Sequence, residues 1–231
     1  MLKHFSSHKL THESAALSSI EGHINRGSQF GEIIYRLAKD PQFHTFLEIG
    51  TWNGRGSTQC FIGGLLERTD GYLFVSFEND ERLHRAAMKY WRGRINSKIL
   101  LVYGTIVRPD EIMKEEEVRT HPLFGLVKEH YRLHYQSDLR NSSSAPLAIE
   151  KIPSQIDVLL LDGGEFSGSA EWSKLKDRGL RVVLLDDVNT IKNRAAFEEL
   201  TRDKKWTSVL EDKDDRNGIA VFAKRDQPIQ L

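Results

Sequence analysis

From about residue 44 onwards, apolar runs alternate with helical stripes along this chain. Phe46, Leu47 and Ile49 form a short run that stops at Gly50. Similar runs recur at 72–78, 99–103, 156–162 and 182–186, each of a length that suits a buried strand. Between them the spacing predicts helices from the glycine turn at 54–56 to about Glu67, over Glu81–Trp91, over Ala170–Lys176 and over Thr190–Thr201. Such alternation predicts an α/β fold around a mostly parallel sheet. The end of the chain breaks the rhythm. Two strand patterns, Trp206–Glu211 and Ile219–Lys224, flank the polar turn 212–218 with no helix between them, which predicts an antiparallel hairpin at one edge.

Two segments lie outside this alternation. Thr11 can cap a helix that carries Leu17, Ile20 and Ile24 and ends near Arg26-Gly27. A second helix is predicted from Ser28 to Lys39, with Phe30, Ile33, Ile34 and Leu37 inward and Asp40-Pro41 as its stop. Residues 1–43 therefore read as an N-terminal helical cap and 44–231 as the main domain. Within that domain, an insertion at about 106–155 is far longer than an ordinary connection. It holds an acidic helical stretch, Met113–Arg119, then His121, His130, Tyr131, His134 and Tyr135. Asn141 to Ser144 reads as a flexible loop. The insertion is either a substrate lid or a solvated surface excursion; an oligomer contact is a further use of such an excursion, so a homo-oligomer is one expectation.

Charge adds an exclusion. The chain of 231 residues has 33 Lys and Arg against 33 Asp and Glu, which advertises neither nucleic acid nor an anionic membrane as partner. Cys60 is the single cysteine, so no intrachain disulfide is possible, as suits a reducing compartment. Met1 to Leu10 does not read as a signal peptide, and no run approaches the roughly 20 apolar residues of a membrane span. A cytoplasmic protein is expected. The nine histidines form no zinc signature.

The glycines narrow the chemistry. A dinucleotide fingerprint needs glycines at i, i+2 and i+5, and counting from Gly54 and Gly56 the third position is Gln59. What stands instead is Glu48-x-Gly50-x-x-x-Gly54-x-Gly56, followed by Ser57 at a helix start. This pattern resembles the S-adenosylmethionine (SAM) loop of the class I SAM-dependent methyltransferases. The resemblance covers roughly residues 44–225, closing hairpin included. It implies a Rossmann-like seven-stranded sheet of order 3-2-1-4-5-7-6 with the last strand antiparallel and helices on both faces. It also implies that Gly50, Thr51, Asn53, Gly54 and Ser57 lie by the methionine part of SAM, and that Glu48 helps to hold its amino group. Glu78, at the end of the second strand, is placed to accept both ribose hydroxyls; a helix-capping acid is the alternative, and Asp80 also suits that part. Gly104-Thr105 would border the adenine. Trp52 and Tyr103 fall near the cleft, where core packing explains them equally well.

Strand four ends at Asp162 and strand five at Asp186-Asp187. As neighbours in a parallel sheet, these acids converge where such folds bind ligands. Three close carboxylates repel unless protonated or bridged by a cation, and all-oxygen ligation suits Mg²⁺ or Mn²⁺. Equally, Asp186 and Asp187 can cap the next helix while Asp162 orients SAM through water. The arrangement resembles the metal-dependent O-methyltransferases of the catechol and macrolide-sugar types, which carry an acid after strand four and a pair after strand five. Three residues beyond the strand-four acid those enzymes place a Lys or His as base; this chain has Glu165, the candidate proton acceptor. Lys192 neutralises the acids, touches a substrate oxygen, or faces solvent. The expected function is SAM-dependent O-methyl transfer to a small hydroxylated molecule, a sugar or glycan end being favoured. Two alternatives are a NAD-dependent oxidoreductase, disfavoured by the glycine spacing and the hairpin, and a non-catalytic SAM-binding protein.

Overall fold

The structure, a computed structural model, describes residues 21–229. Its centre is one seven-stranded sheet of order β3-β2-β1-β4-β5-β7-β6. The strands are β1 Thr45–Ile49, β2 Leu73–Glu78, β3 Ile99–Tyr103, β4 Val158–Leu161, β5 Val182–Asp186, β6 Trp206–Asp212 and β7 Ile219–Lys224. The first five pair in parallel, and β7 runs antiparallel to both β5 and β6. This is the strand order that the resemblance implies, with the antiparallel hairpin that the sequence pattern predicts.

The central strands are apolar on both faces because helices cover both. Leu47, Val75, Leu159 and Val183 face one core cluster; Phe46, Phe74, Val158, Leu160 and Leu184 face the other. On the second face lie α1 (Gln29–Lys39), α2 (Ser57–Leu66) and α3 (Glu81–Trp91), through Phe30, Ile34, Phe61, Leu65 and Trp91. Ser28 caps α1 by accepting from the Gly31 N–H at 3.1 Å, and Asp80 caps α3. The first predicted helix lies almost wholly outside the described residues. Its described end, 21–27, is irregular chain, bend and turn rather than helix. Arg68, its side chain 3% exposed, ties α2 to the start of β1. It donates to the carbonyls of Ala38, Asp40 and Phe43 and pairs with Asp70.

The insertion packs on the first face. It forms α4 (Glu115–Thr120), α5 (Phe124–Val127) and α6 (Tyr131–Ser144), anchored through Ile106, Ile112, Val118, Tyr131 and Ile152. The predicted loop at 141–144 is instead the last turn of α6. Ser143 and Ser144 donate their hydroxyls to the carbonyls of Leu139 and Arg140 at 2.7 and 2.8 Å, satisfying within the helix the groups that made the segment look loop-like. The same face carries α7 (Gly168–Leu175) and α8 (Arg194–Arg202).

One boundary matters for the site. The helix expected from Thr190 begins only at Arg194, and 187–193 is an irregular turn with Asp187 at φ +57°. The Asn193 side chain makes no cap. Its Nδ2 donates to the carbonyls of Leu161 (2.9 Å) and Asp186 (2.6 Å), pinning the turn to the ends of β4 and β5. Among the described residues no helix is long and apolar enough to cross a membrane.

Candidate functional site

The parallel strands end together, and two cavities open there, about 520 and about 380 Å³. Gly50, Trp52 and Asp162 line both. At the wall between them, the chain turns sharply after β1. Gly50 has φ +104°, and a Cβ there would lie 2.1 Å from the Asp162 carbonyl oxygen, so only glycine allows β1 and β4 to close at this point. Gly54, at φ +77°, gives its carbonyl to the indole Nε1 of Trp91 at 2.8 Å.

Glu48 holds the loop from below. It is fully buried and lines neither cavity. Its carboxylate accepts from Ser57 and Thr58 at 2.6 Å and from Ser76 at 2.5 Å, joining β1 to β2 and to the start of α2. Burial pushes its carboxyl up to about 7, against the pull of those hydroxyls. Asn53 is buried within the loop, its Oδ1 accepting from the Arg55 N–H at 3.0 Å. Thr51 and Ser57 line the smaller cavity.

Glu78 lines the larger cavity from the end of β2. Its two oxygens accept the N–H groups of Trp52 (2.6 Å) and Asp80 (2.8 Å), fixing its carboxylate, while Asp80 does the helix capping. Burial raises Glu78 to about 8. Gly104 and Thr105 also line the larger cavity, where the Thr105 N–H donates to the Pro146 carbonyl at 2.9 Å and so ties the insertion to the cavity. Tyr103 lines neither cavity; its ring meets His84 instead.

The three strand-end acids do converge: Asp162, Asp186 and Asp187 each bring a carboxylate oxygen within 4.8 Å of the others. Neither Asp186 nor Asp187 caps a helix. Lys192 sits among them, 7% exposed, and donates from Nζ to Asp162 Oδ1 at 2.5 Å and to Asp187 Oδ2 at 3.0 Å. It belongs to the irregular turn, not to the first turn of a helix, and its side chain points inward rather than to solvent. Burial alone would lower its ammonium, but Asp162, Asp187 and Asp186 outweigh that and hold it well above the usual lysine value. Burial would raise Asp187, yet Lys192, Asn217 and Arg216 together keep it low. Burial and then the Asp162 charge push Asp186 up to about 7. The donor set is the right chemistry for a divalent ion. A lysine ammonium already bridges two of the three ligands, so a divalent ion drawing on all three would have to displace it or lie beside it.

Glu165 lines neither cavity. One of its oxygens is buried without a hydrogen-bond partner, and burial raises its carboxyl to about 7. Four other residues belong to the site, and of these the sequence singles out only His134, within the insertion. Arg216 and Asn217, in the β6–β7 turn, reach Asp187: Asn217 Nδ2 donates at 3.0 Å, and Arg216 Nη2 lies 3.7 Å from Asp187 and 3.6 Å from Asp186. His134 and Asp138 come from α6 to the wall of the larger cavity. The turn was predictable in principle, because an antiparallel last strand must begin where β5 ends, and Asp186 is paired with Ile219.

No family model matches the chain, and no curated protein matches its sequence. Solved structures do match its fold. An O-methyltransferase from Bacillus cereus in complex with SAH superposes with a TM-score of 0.57 at 14% identity, covering 97% of this chain and 93% of that one. A SAH-bound methyltransferase from Podospora anserina gives 0.54 at 12%, covering 98% and 99%. The SAM-bound O-methyltransferase TomG from Streptomyces achromogenes, involved in tomaymycin synthesis, gives 0.51 at 14%, covering 84% and 78%. At these identities the likeness concerns the fold: the chain is built on the seven-stranded methyltransferase sheet.

Proposed function

We propose that this chain is a SAM-dependent O-methyltransferase acting on a hydroxyl of a small molecule, with a sugar or glycan end as the favoured acceptor. The observation that carries the reading is the pair of cavities sharing Gly50, Trp52 and Asp162, with the fixed carboxylate of Glu78 on the wall of the larger one. That carboxylate retains lone pairs for two ribose hydroxyls, which no apolar wall would satisfy. Gly104 and Thr105 would border the adenine, and the backbone of the 50–56 loop the methionine part. When bound, SAM supplies an electrophilic methyl group. The chain's own task is then alignment at near-attack distance.

The smaller cavity fits the acceptor. Thr51, Ser57, Asp187, Lys192 and Arg216 give it donors and acceptors on several sides, with Trp52 as one apolar wall. That mixture suits a polyol better than a flat phenol. Asp162, on the walls of both cavities, is the carboxylate placed to take the hydroxyl proton; Glu165 is set back from both. The divalent ion expected from the strand-end acids is left out of the scheme, because Lys192 stands among them.

The test is in two steps. SAH should raise the melting temperature of the full chain, and NAD should not. Labelled SAM should then transfer its methyl to one or more members of a panel of sugars and other hydroxylated acceptors. Stabilisation by NAD and not by SAH would overturn the reading. Tight SAH binding with no transfer to any acceptor would favour a non-catalytic SAM-binding role.

A further inference from the structure

We infer that Lys192 is a built-in replacement for a divalent metal: its ammonium occupies the strand-end carboxylate cluster, so the site excludes such an ion and works without one. The catalytic meaning of this rests on the methyl-transfer reading; the exclusion of metal does not.

The geometry argues for a permanent occupant. Lys192 Nζ bridges Asp162 and Asp187, which come from the ends of different strands. A divalent ion drawing ligands from the same carboxylates would lie against the ammonium, and like charges at that range repel strongly at a buried site. The side chain is held there by its backbone. Asn193, the next residue, is tied to the carbonyls of Leu161 and Asp186. On the other side Gly168 of α7 packs so closely that a Cβ there would lie 1.9 Å from the Lys192 carbonyl oxygen. Asp187 takes a left-handed backbone, φ +57°, which turns the chain so that Lys192 folds back over the acids. Charge completes the argument. Lys192 and Arg216 set two positive charges against three carboxylates, and Asn217 donates a further hydrogen bond to Asp187. Most of the repulsion that would call for a metal is thereby offset.

Among the described residues two of the three ammonium N–H groups have protein acceptors, which leaves one for an acceptor oxygen in the smaller cavity, whose wall Lys192 forms. In the transfer the acceptor O–C bond forms as the S–C bond breaks. The S–C electron pair stays on sulfur, and the hydroxyl proton passes to Asp162. Lys192 remains charged throughout and stabilises the oxygen as it loses its proton, which is the part a Lewis acid would otherwise play.

Mn²⁺ binding, followed by electron paramagnetic resonance on the full chain, tests the inference without a known acceptor. The wild type is expected to bind no Mn²⁺ at this cluster, with or without SAH, and SAH affinity is expected to be indifferent to EDTA. Lys192→Met should open the cluster and strengthen Mn²⁺ binding by roughly tenfold or more, as a cation is removed from among three carboxylates, whereas Lys192→Arg should keep the ion out. Stoichiometric Mn²⁺ binding by the wild type that Asp187→Ala abolishes would overturn the inference. So would a folded Lys192→Met with no gain of Mn²⁺ affinity. If Lys192→Met does not fold, the wild-type titration decides alone. Thermal shifts with SAH on the same samples report separately on the SAM reading, so failure of one is not mistaken for failure of the other.

Discussion

Glu48 offers the sharpest test of how the loop is held. Its carboxyl stands at about 7 in the folded chain, against 4.5 for an ordinary glutamate, because burial penalises the charged form. Between about pH 4.5 and 7 the native state therefore keeps a proton that the unfolded chain has released. Stability is greatest below that window, falls as pH rises through it, and levels off above. At about 1.4 kcal/mol per pH unit the whole gap is worth roughly 3 kcal/mol, of which about 2.5 kcal/mol falls between about pH 5 and about pH 8. Glu48→Gln removes the ionisation and keeps the shape. Its carbonyl can accept from one hydroxyl, and its amide can donate to another that rotates to receive it. Urea unfolding of both proteins across this range should show the variant gaining about 2.5 kcal/mol on the wild type from the acid end to the alkaline end. Parallel stability curves would refute the reasoning. They would mean that the Ser57, Thr58 and Ser76 hydroxyls fully compensate the buried charge.

Three other substitutions probe separate links. Gly50→Ala forces a side chain into a left-handed backbone and against the Asp162 carbonyl, and should cost about 2–5 kcal/mol in denaturant unfolding; a change below about 1 kcal/mol would deny the close approach of β1 and β4. Glu78→Gln replaces one acceptor oxygen at the expected ribose contacts by an amide donor and should weaken SAH binding by about 1–3 kcal/mol, roughly 5- to 150-fold by calorimetry, and unchanged affinity would place the ribose elsewhere. Arg68→Met removes the guanidinium from the carbonyls of Ala38, Asp40 and Phe43, of which Asp40 keeps the Phe43 N–H, and should lower stability by about 2–3 kcal/mol with SAH affinity intact; a silent substitution would show that water replaces the guanidinium at no cost.

The sheet could be read from the chain because its signals are local. Apolar runs of strand length, glycines at left-handed turns and a helix-free final pair each report on a few consecutive residues; they specify a mostly parallel sheet with an antiparallel edge, while the strand order comes with the resemblance that the glycine loop carries. Ser28 and Asp80 announced their helices for the same reason. Errors arose where one side chain serves distant backbone. Asp186 and Asp187 stand where caps belong, and the spacing extended the helix back to Thr190. In the structure Asn193 instead spends its amide on two strand ends, delaying the helix to Arg194. The serines of α6 misled in the opposite direction, since hydroxyls that usually favour loops are satisfied by carbonyls one turn earlier. Asp162, Asp186 and Asp187 were found from strand ends alone, but the direction of Lys192 was not, because it depends on a backbone turn that no pattern in the sequence marks.

The topology explains why the positive charges come from where they do. With β1, β4 and β5 adjacent and parallel, their carboxyl ends must share one rim, and any acids placed there accumulate negative charge. Helices that follow such strands approach with their N-terminal ends, which favour anions and add no mobile cation. A balancing side chain must therefore come from a segment that doubles back over the rim. Two segments do so: the irregular turn after β5, which carries Lys192, and the turn before β7, which carries Arg216. The second is a necessary consequence of the antiparallel strand, since β7 starts where β5 stops. The same geometry sets the walls of the smaller cavity, where Gly22, His23 and Ile24 meet Arg216 from the far end of the chain. On the proposed reading, an acceptor entering there would touch these segments together with Thr51 and Ser57 of the glycine loop, parts of the protein that a plain parallel sheet would never bring together.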